Sequence, residues 1–115
     1  MLGVIIDFNM EKVIIPMFGR YKCVILSDGK NHVFRADKGE FHEEVAKLVR
    51  TKEPLLSEYR ICGGGRVEID GNDRIEVYGY SVDYGKMDKE LVEELVSEYA
   101  KKEGLTFVNN TGEGY

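Results

Sequence analysis

Residues 88–104, DKELVEELVSEYAKKEG, form the segment that most narrows what this chain can fold into. Acidic residues come early in the segment and lysines late, which suits the dipole of a helix, and Gly104 is a typical C-terminal stop. The apolar residues fall on one stripe of such a helix: Leu91, Val92, Leu95, Val96 and Tyr99. The pattern therefore predicts an amphipathic helix that packs its apolar stripe against a core.

Runs of β-branched and apolar residues near the start of the chain predict the first strands. Residues 12–15 and 21–27 form two such runs, and apolar positions alternate along the second. The turn residues 27–29, Ser-Asp-Gly, follow the second run, so residues 31–35 can return beside it as a third strand. This arrangement predicts a β-hairpin.

A first helix is predicted after this hairpin. Asp37 precedes Glu40 by three residues, as in a capping box at a helix start, and Pro54 ends the segment. The apolar residues between these points have helical spacing and are expected to face the core: Phe41, Val45, Leu48 and Val49.

The remaining segments predict a second hairpin and a short last strand. Residues 61–70 and 74–80 alternate around the turn residues Gly71 and Asn72, and residues 106–108 follow the second helix, leaving 109–115 as a tail. Strands, helix, hairpin, helix and strand in this order predict one α+β domain over residues 1–115. Its fold is a mainly antiparallel or mixed sheet with two helices packed on it.

Charge and composition exclude several functions. The 115 residues carry a net charge of −5, which repels phosphate backbones and anionic membranes, so no nucleic-acid partner is expected. No apolar run approaches the ~20 residues of a membrane helix, and the opening MLGVIIDF lacks the basic start of a signal peptide, so we expect a cytoplasmic protein. Cys23 and Cys62 have no metal-ligand spacing. Neither a metal nor another cofactor is expected.

His42 is the first candidate for catalysis. It lies at the start of the predicted first helix, beside Phe41 and at the edge of the apolar stripe. The positive end of the helix dipole disfavours an imidazolium there, so the ring should stay neutral near pH 7 and accept a proton. A histidine that merely packs at the boundary of the core is the alternative. His32, on a short strand beside a turn, has no comparable setting.

Two further segments suggest an anion site. Gly63, Gly64 and Gly65 interrupt a strand pattern directly before Arg66, which indicates a bulge or a close approach by another backbone. Residues 78–85, YGYSVDYG, form a loop whose successive N–H groups can surround an anion, with the Ser81 hydroxyl added. Neither segment has the spacing of a nucleotide-binding loop, and tyrosines packed on the sheet are the simpler explanation of the second.

Lys22, Arg35 and Arg66 lie in or beside predicted strands, where they could converge on a phosphate, although each alone is more often a solvated charge. A neutral histidine, an anion-binding loop and such cations would together suit phosphoryl transfer without a metal.

Five segments of the chain carry a family resemblance: KCVIL, FHEEV around His42, ICGGGRVEI, VYGYSVDYG and the terminal Gly-Tyr. In their order and approximate spacing they resemble the phosphohistidine phosphatase family, also known as the janus/ocnus family, over residues 21–115. The resemblance implies a small α+β sheet with two helices. It also implies hydrolysis of phosphohistidine, and in some members phospholysine, in a protein substrate without a metal cofactor.

The resemblance also assigns roles to residues. His42 is similar to the family's catalytic histidine and Lys22 to the lysine that contacts the substrate phosphate. Arg35 and Arg66 match arginines near the site. The loop of Ser81, Val82 and Asp83 matches the segment that holds the phosphoryl oxygens.

The expected reaction is cleavage of a phosphoramidate P–N bond, with His42 as general base or as nucleophile. Asp83 departs from the family member compared, which has a small neutral residue there, and the first twenty residues match poorly. A non-catalytic module that binds a phosphorylated ligand is therefore the alternative, and an interaction protein with a vestigial site is the third. The sequence does not indicate an oligomeric state.

Overall fold

The structure is a computed structural model that describes residues 10–114. Its elements run in this order: β1 (Val13–Ile14), β2 (Gly19–Ser27), β3 (His32–Asp37), α1 (His42–Lys52), a 3-10 turn (Pro54–Leu56), β4 (Arg60–Asp70), β5 (Arg74–Gly79), α2 (Lys89–Glu103) and β6 (Thr106–Thr111). The six strands form one mixed sheet in the order β1-β3-β2-β4-β5-β6.

The centre of the sheet is antiparallel and its two edges are parallel. In the centre, neighbouring strands are antiparallel along the spatial order β3-β2-β4-β5. At the edges, β1 pairs with β3 and β6 pairs with β5, both in parallel. Parallel neighbours need a crossover connection, and α2 provides the one between β5 and β6. The expected α+β fold with two helices on a mainly antiparallel sheet is confirmed.

The two helices cover opposite faces of the sheet. Cys23 and Ile25 of β2 pack in one apolar cluster with α2, whereas Val24 and Leu26 pack in a second cluster with α1. Successive side chains of a strand point to opposite faces, so β2 is buried on both sides. Among residues 10–114, no helix is long and apolar enough to cross a membrane.

The first helix begins later than the sequence predicts. Asp37 is the last residue of β3 and its carboxylate pairs with Lys52, with 2.7 Å between Oδ2 and Nζ. α1 begins at His42 because the Glu44 carboxylate accepts hydrogen bonds from the backbone N–H groups of Glu40 and Phe41, at 2.8 and 3.1 Å. The predicted capping pair of Asp37 and Glu40 is therefore wrong.

Because α1 begins at His42, the face that it turns to the core differs in part from the predicted one. Phe41 and Leu48, expected in the core, are 61% and 38% exposed. Val45 and Val49 are buried as expected, and His42 and Ala46 complete the buried stripe in place of Phe41 and Leu48. His42 thus occupies a core-facing position rather than the edge of the stripe.

The last strand is longer than predicted. β6 extends to Thr111, so Asn109 and Asn110 belong to the sheet rather than to a tail. Asparagine has a low strand propensity, but here the Asn110 side chain donates to Glu76 of β5 at 2.9 Å. This pairing brings the end of the chain beside Gly79, whose N–H donates to the Glu113 carbonyl at 2.7 Å.

Candidate functional site

The triple glycine of β4 is the point where three parts of the fold meet. Gly64 is buried, and a Cβ placed on it would lie 2.8 Å from His42 Cδ2 and 2.9 Å from Ser81 Cβ. A side chain at this position would overlap both residues. The lack of one lets the start of α1 and the loop after β5 approach the same spot on the sheet.

The two flanking glycines hold the loop after β5 against the sheet. Gly63 has a φ of +142°, and a Cβ there would lie 2.5 Å from the Lys86 carbonyl oxygen. A Cβ on Gly65 would lie 2.9 Å from both the Tyr78 carbonyl oxygen and Met87 Cε. The sequence interpretation of a close backbone approach at these glycines is therefore confirmed.

His42 is oriented by a backbone carbonyl. Its Nε2 lies 2.8 Å from the Gly65 carbonyl oxygen, and the residue is 8% exposed. A carbonyl oxygen only accepts, so Nε2 carries the hydrogen and the neutral ring has its lone pair on Nδ1. No group among residues 10–114 bonds to Nδ1. The ring is thus fixed in the tautomer that leaves Nδ1 able to accept a proton or attack an electrophile.

The surroundings of His42 keep its ring neutral. Burial is the main cause that lowers the pKa of His42 from 6.5, and the positive charges of Lys22 and Arg66 lower it further. The hydrogen bond to the Gly65 carbonyl and the charge of Asp83 act in the opposite direction but do not reverse the shift. A lowered pKa agrees with the expected neutral histidine, and its largest cause is burial rather than the helix dipole.

Lys22 and Arg66 place two cations beside His42. They face each other across β2 and β4, two residues along the strands from the Val24 and Gly64 pair, so they share the face that carries His42. Burial and the charge of Arg66 lower the pKa of Lys22, while Glu40 raises it. The two cations also line a depression of about 310 Å³ whose wall includes the carboxylates of Asp37 and Glu40. Two adjacent positive charges beside the His42 ring suit an anionic group.

The loop after β5 adds backbone donors. Ser81 is 1% exposed, its Oγ accepts from the Tyr84 N–H at 3.0 Å, and its carbonyl accepts from the Gly85 N–H at 2.8 Å. Within the part of the chain that the structure describes, no acceptor bonds the N–H groups of Val82 and Asp83. The side chains of both residues are exposed. The turn is therefore closed by Ser81 and leaves two successive N–H groups able to bind an anion.

Arg35 is not brought together with these residues. It is 1% exposed, and its Nε and NH2 groups bond the Glu53 carboxylate at 2.7 and 2.9 Å. Other N–H groups donate to the carbonyls of Phe34 and Glu11. Glu53 is the C-cap of α1, one helix length of ~16 Å from His42. The structure therefore places Arg35 in a buried ion pair under the far end of α1 rather than in a phosphate site.

The sequence interpretation missed two groups that shape the site. The Gly65 carbonyl orients His42, and no sequence pattern identifies a backbone acceptor. Glu44 fixes the first turn of α1, and its spacing from Phe41 in FHEE is the signal that could have revealed it. In residues 10–114, no three His, Cys, Asp or Glu side chains are grouped so that they could hold a metal ion.

Comparison with protein families identifies one match. A family model described as the Janus/Ocnus family matches residues 10–103, which include His42, Lys22, Arg66 and the loop of residues 81–85. A search of the curated proteins finds no match to the chain. Because the family match covers well over half of the sequence and every element from β1 through α2, the chain belongs to the Janus/Ocnus family.

Proposed function

We propose that this protein is a phosphatase that cleaves the phosphoramidate P–N bond of phosphohistidine or phospholysine in a protein substrate, with His42 as the reacting group. The observation that carries the proposal is the state of His42: a buried neutral ring, held through Nε2–H, with an unprotonated Nδ1 beside two cations. Phosphoryl transfer is catalysed largely by positioning and charge stabilisation, and these groups supply both.

The phosphoryl group has a set of matching donors in this arrangement. Lys22 and Arg66 offset its charge from one side, and the N–H groups of Val82 and Asp83 bind its oxygens from the other. The Ser81 hydroxyl, which already accepts from Tyr84, still has its own hydrogen to donate. All of these groups come from the protein, so the proposed reaction requires no cofactor.

His42 can act by two routes in this geometry. As a general base, Nδ1 takes a proton from water, whose oxygen forms the new bond to phosphorus while the P–N bond breaks and its electron pair stays on nitrogen. As a nucleophile, Nδ1 itself bonds to phosphorus while the substrate P–N bond breaks and its electron pair stays on the leaving nitrogen, and water later hydrolyses the phosphorylated ring. In both routes the ring becomes positive, and the Gly65 carbonyl that accepts from Nε2–H stabilises that charge. Rapid-quench trapping of labelled protein separates the routes, because only the second forms phosphorylated His42.

The proposal is tested by phosphate release from a phosphohistidine peptide in the presence of EDTA. His42→Ala should lower the rate by ~10²- to 10⁴-fold, the usual contribution of a positioned base. His32→Ala is the matched control, since His32 lies on β3 outside the site, and it should keep the wild-type rate. Phosphotyrosine serves as a substrate control. No release by folded wild-type protein, or full activity of His42→Ala, would refute the proposal.

A second candidate function has one observation in its favour. Asp83 places a carboxylate in the loop whose N–H groups would bind phosphate, and its charge reaches His42. Such a charge opposes a bound phosphate and could leave a module that captures a phosphorylated ligand without hydrolysing it. Saturable binding of the phosphohistidine peptide to wild-type protein, without phosphate release, would favour this second function.

A further inference from the structure

Asp83 lies at the outer rim of the candidate site. It follows Ser81 by two residues in the turn closed by Ser81 and Gly85, and Ser81 meets His42 at Gly64. Ser81 is 1% exposed, whereas Asp83 is on the exposed part of the same turn. The Asp83 carboxylate is therefore on the solvent side of a cradle whose inner wall is Ser81, and it is close enough for its charge to act on His42.

The rim is also where the leaving group must be. The phosphoryl group of a protein substrate enters the cradle from solvent, so the atom that joins it to the substrate side chain points outward. A carboxylate at the rim would then be closer to the leaving nitrogen than to the inner phosphoryl oxygens. It repels a phosphoryl group without a positive neighbour and attracts one whose nitrogen is cationic.

Phosphoramidates differ in the charge of this nitrogen. In phospholysine the nitrogen is an alkyl amine, and the parent side chain has a pKa of ~10.4, so the nitrogen is readily protonated at neutral pH. In phosphohistidine it belongs to an imidazole, whose parent pKa is only ~6.5. A negative rim charge therefore distinguishes between the two classes of substrate.

We propose that Asp83 is a specificity-determining residue that favours phosphoramidates with a protonated alkyl-amine leaving nitrogen, such as phospholysine, over phosphohistidine. The inference rests on the proposed phosphatase function and names the preferred substrate class within it. Asp83 acts on binding, because its partner charge is already present in the bound substrate.

The reaction balances without a further reactant. Water forms a bond from its oxygen to phosphorus, and the P–N bond breaks with its electron pair going to the protonated nitrogen, which leaves as an amine. His42 takes one proton from the water and passes it to that amine. The sum is R–NH₂⁺–PO₃²⁻ plus water giving R–NH₃⁺ plus HPO₄²⁻, with equal atoms and charge on both sides.

The test compares two peptides of one sequence that carry phospholysine or phosphohistidine at the same position. Phosphate release is measured for wild type, Asp83→Asn and the control Glu58→Gln, which removes one exposed negative charge on the turn after the 3-10 segment. Asp83→Asn should raise KM for the phospholysine peptide ~1.5- to 5-fold, the range of an exposed charge pair, with little change in kcat. KM for the phosphohistidine peptide should stay constant or fall, and Glu58→Gln should change neither.

Three results would overturn the inference in distinguishable ways. Release from both peptides with unchanged KM values in Asp83→Asn would refute the role of Asp83 and leave the phosphatase proposal intact. An equal fall in KM for both peptides would show that Asp83 only repels phosphate. No release from either peptide by folded wild-type protein would refute the phosphatase proposal, and the inference with it.

Discussion

Gly64→Ala is the substitution that most directly disturbs the meeting point of His42 and Ser81. The new methyl group would lie 2.8 Å from His42 Cδ2, 2.9 Å from Ser81 Cβ and 3.1 Å from the Cys23 carbonyl oxygen. Carbon atoms pack at ~3.5 to 4.0 Å, so His42 or Ser81 must move by ~0.7 Å or more. Because the Cys23 carbonyl belongs to the central strand β2, the His42 ring and the Ser81 turn are the groups that must shift.

Two effects set the change that Gly64→Ala makes in the free energy of unfolding. Overpacking of a buried site costs ~1 to 3 kcal/mol in the free energy of unfolding, which the greater rigidity of alanine in a strand offsets by ~0.5 to 1 kcal/mol. We therefore expect a net loss of ~0.5 to 2 kcal/mol in the free energy of unfolding. The displacement of His42 matters more for activity, since a misplacement near 1 Å lowers a rate by ~10²-fold.

The assay measures urea unfolding, phosphate release from a phosphohistidine peptide and the His42 pKa by NMR. Gly71→Ala is the matched control, because a Cβ there meets nothing within 4 Å. A displaced ring is less buried, so the pKa of His42 should rise toward its ordinary value of 6.5 in Gly64→Ala. Wild-type activity together with an unchanged His42 pKa in Gly64→Ala would refute the packing argument.

Three further predictions concern the charged groups. Lys22→Met should raise KM for a phosphorylated peptide about tenfold, since it removes a charge-assisted contact, and steady-state kinetics would show no change if the lysine stays outside the site. Arg35→Met should lower the free energy of unfolding by ~3 kcal/mol because it leaves Glu53 without its buried partner, and an intact urea midpoint would contradict this. The rate of phosphate release should stay high down to pH 6.5 and fall only below it, because the reacting form of His42 is neutral and its pKa is lowered. A rate that already falls with decreasing pH above 6.5 would contradict the lowered pKa.

The lowered pKa of His42 also makes the free energy of unfolding depend on pH. Since the pKa of His42 is lower in the folded than in the unfolded protein, the unfolded chain binds more protons between the two values. The contribution of neutral His42 to the free energy of unfolding is therefore complete above pH ~6.5. It is lost as the pH falls through the pKa of His42 in the folded protein.

Strand and helix patterns made most of the fold predictable. The α2 stripe and the two hairpins are local signals, and the apolar run of residues 21–27 marks the strand β2. The start of α1 was harder to predict, because Asp37 and Glu40 have the spacing of a capping pair although Glu44 makes the hydrogen bonds. The asparagines of β6 were missed because their strand conformation depends on partners in β5.

The candidate site was predictable in part. Residue types placed His42, Lys22, Arg66 and Ser81 among the candidates, and the fold brings these four to one face of the sheet near Gly64. Arg35 could not be separated from Arg66 by sequence, because both lie in strands. Only the tertiary position of Glu53, eighteen residues after Arg35, shows that the Arg35 guanidinium binds this carboxylate.

The most direct measurement of the central claim is a ¹⁵N NMR titration of the His42 ring. The proposed mechanism requires a neutral His42 ring with Nε2–H bound to the Gly65 carbonyl and Nδ1 unprotonated. It predicts a pKa below 6.5, the Nε2–H tautomer at pH 7, and a change in the Nδ1 signal when inorganic phosphate is added. A pKa above 6.5, or the Nδ1–H tautomer in the folded protein, would contradict the account.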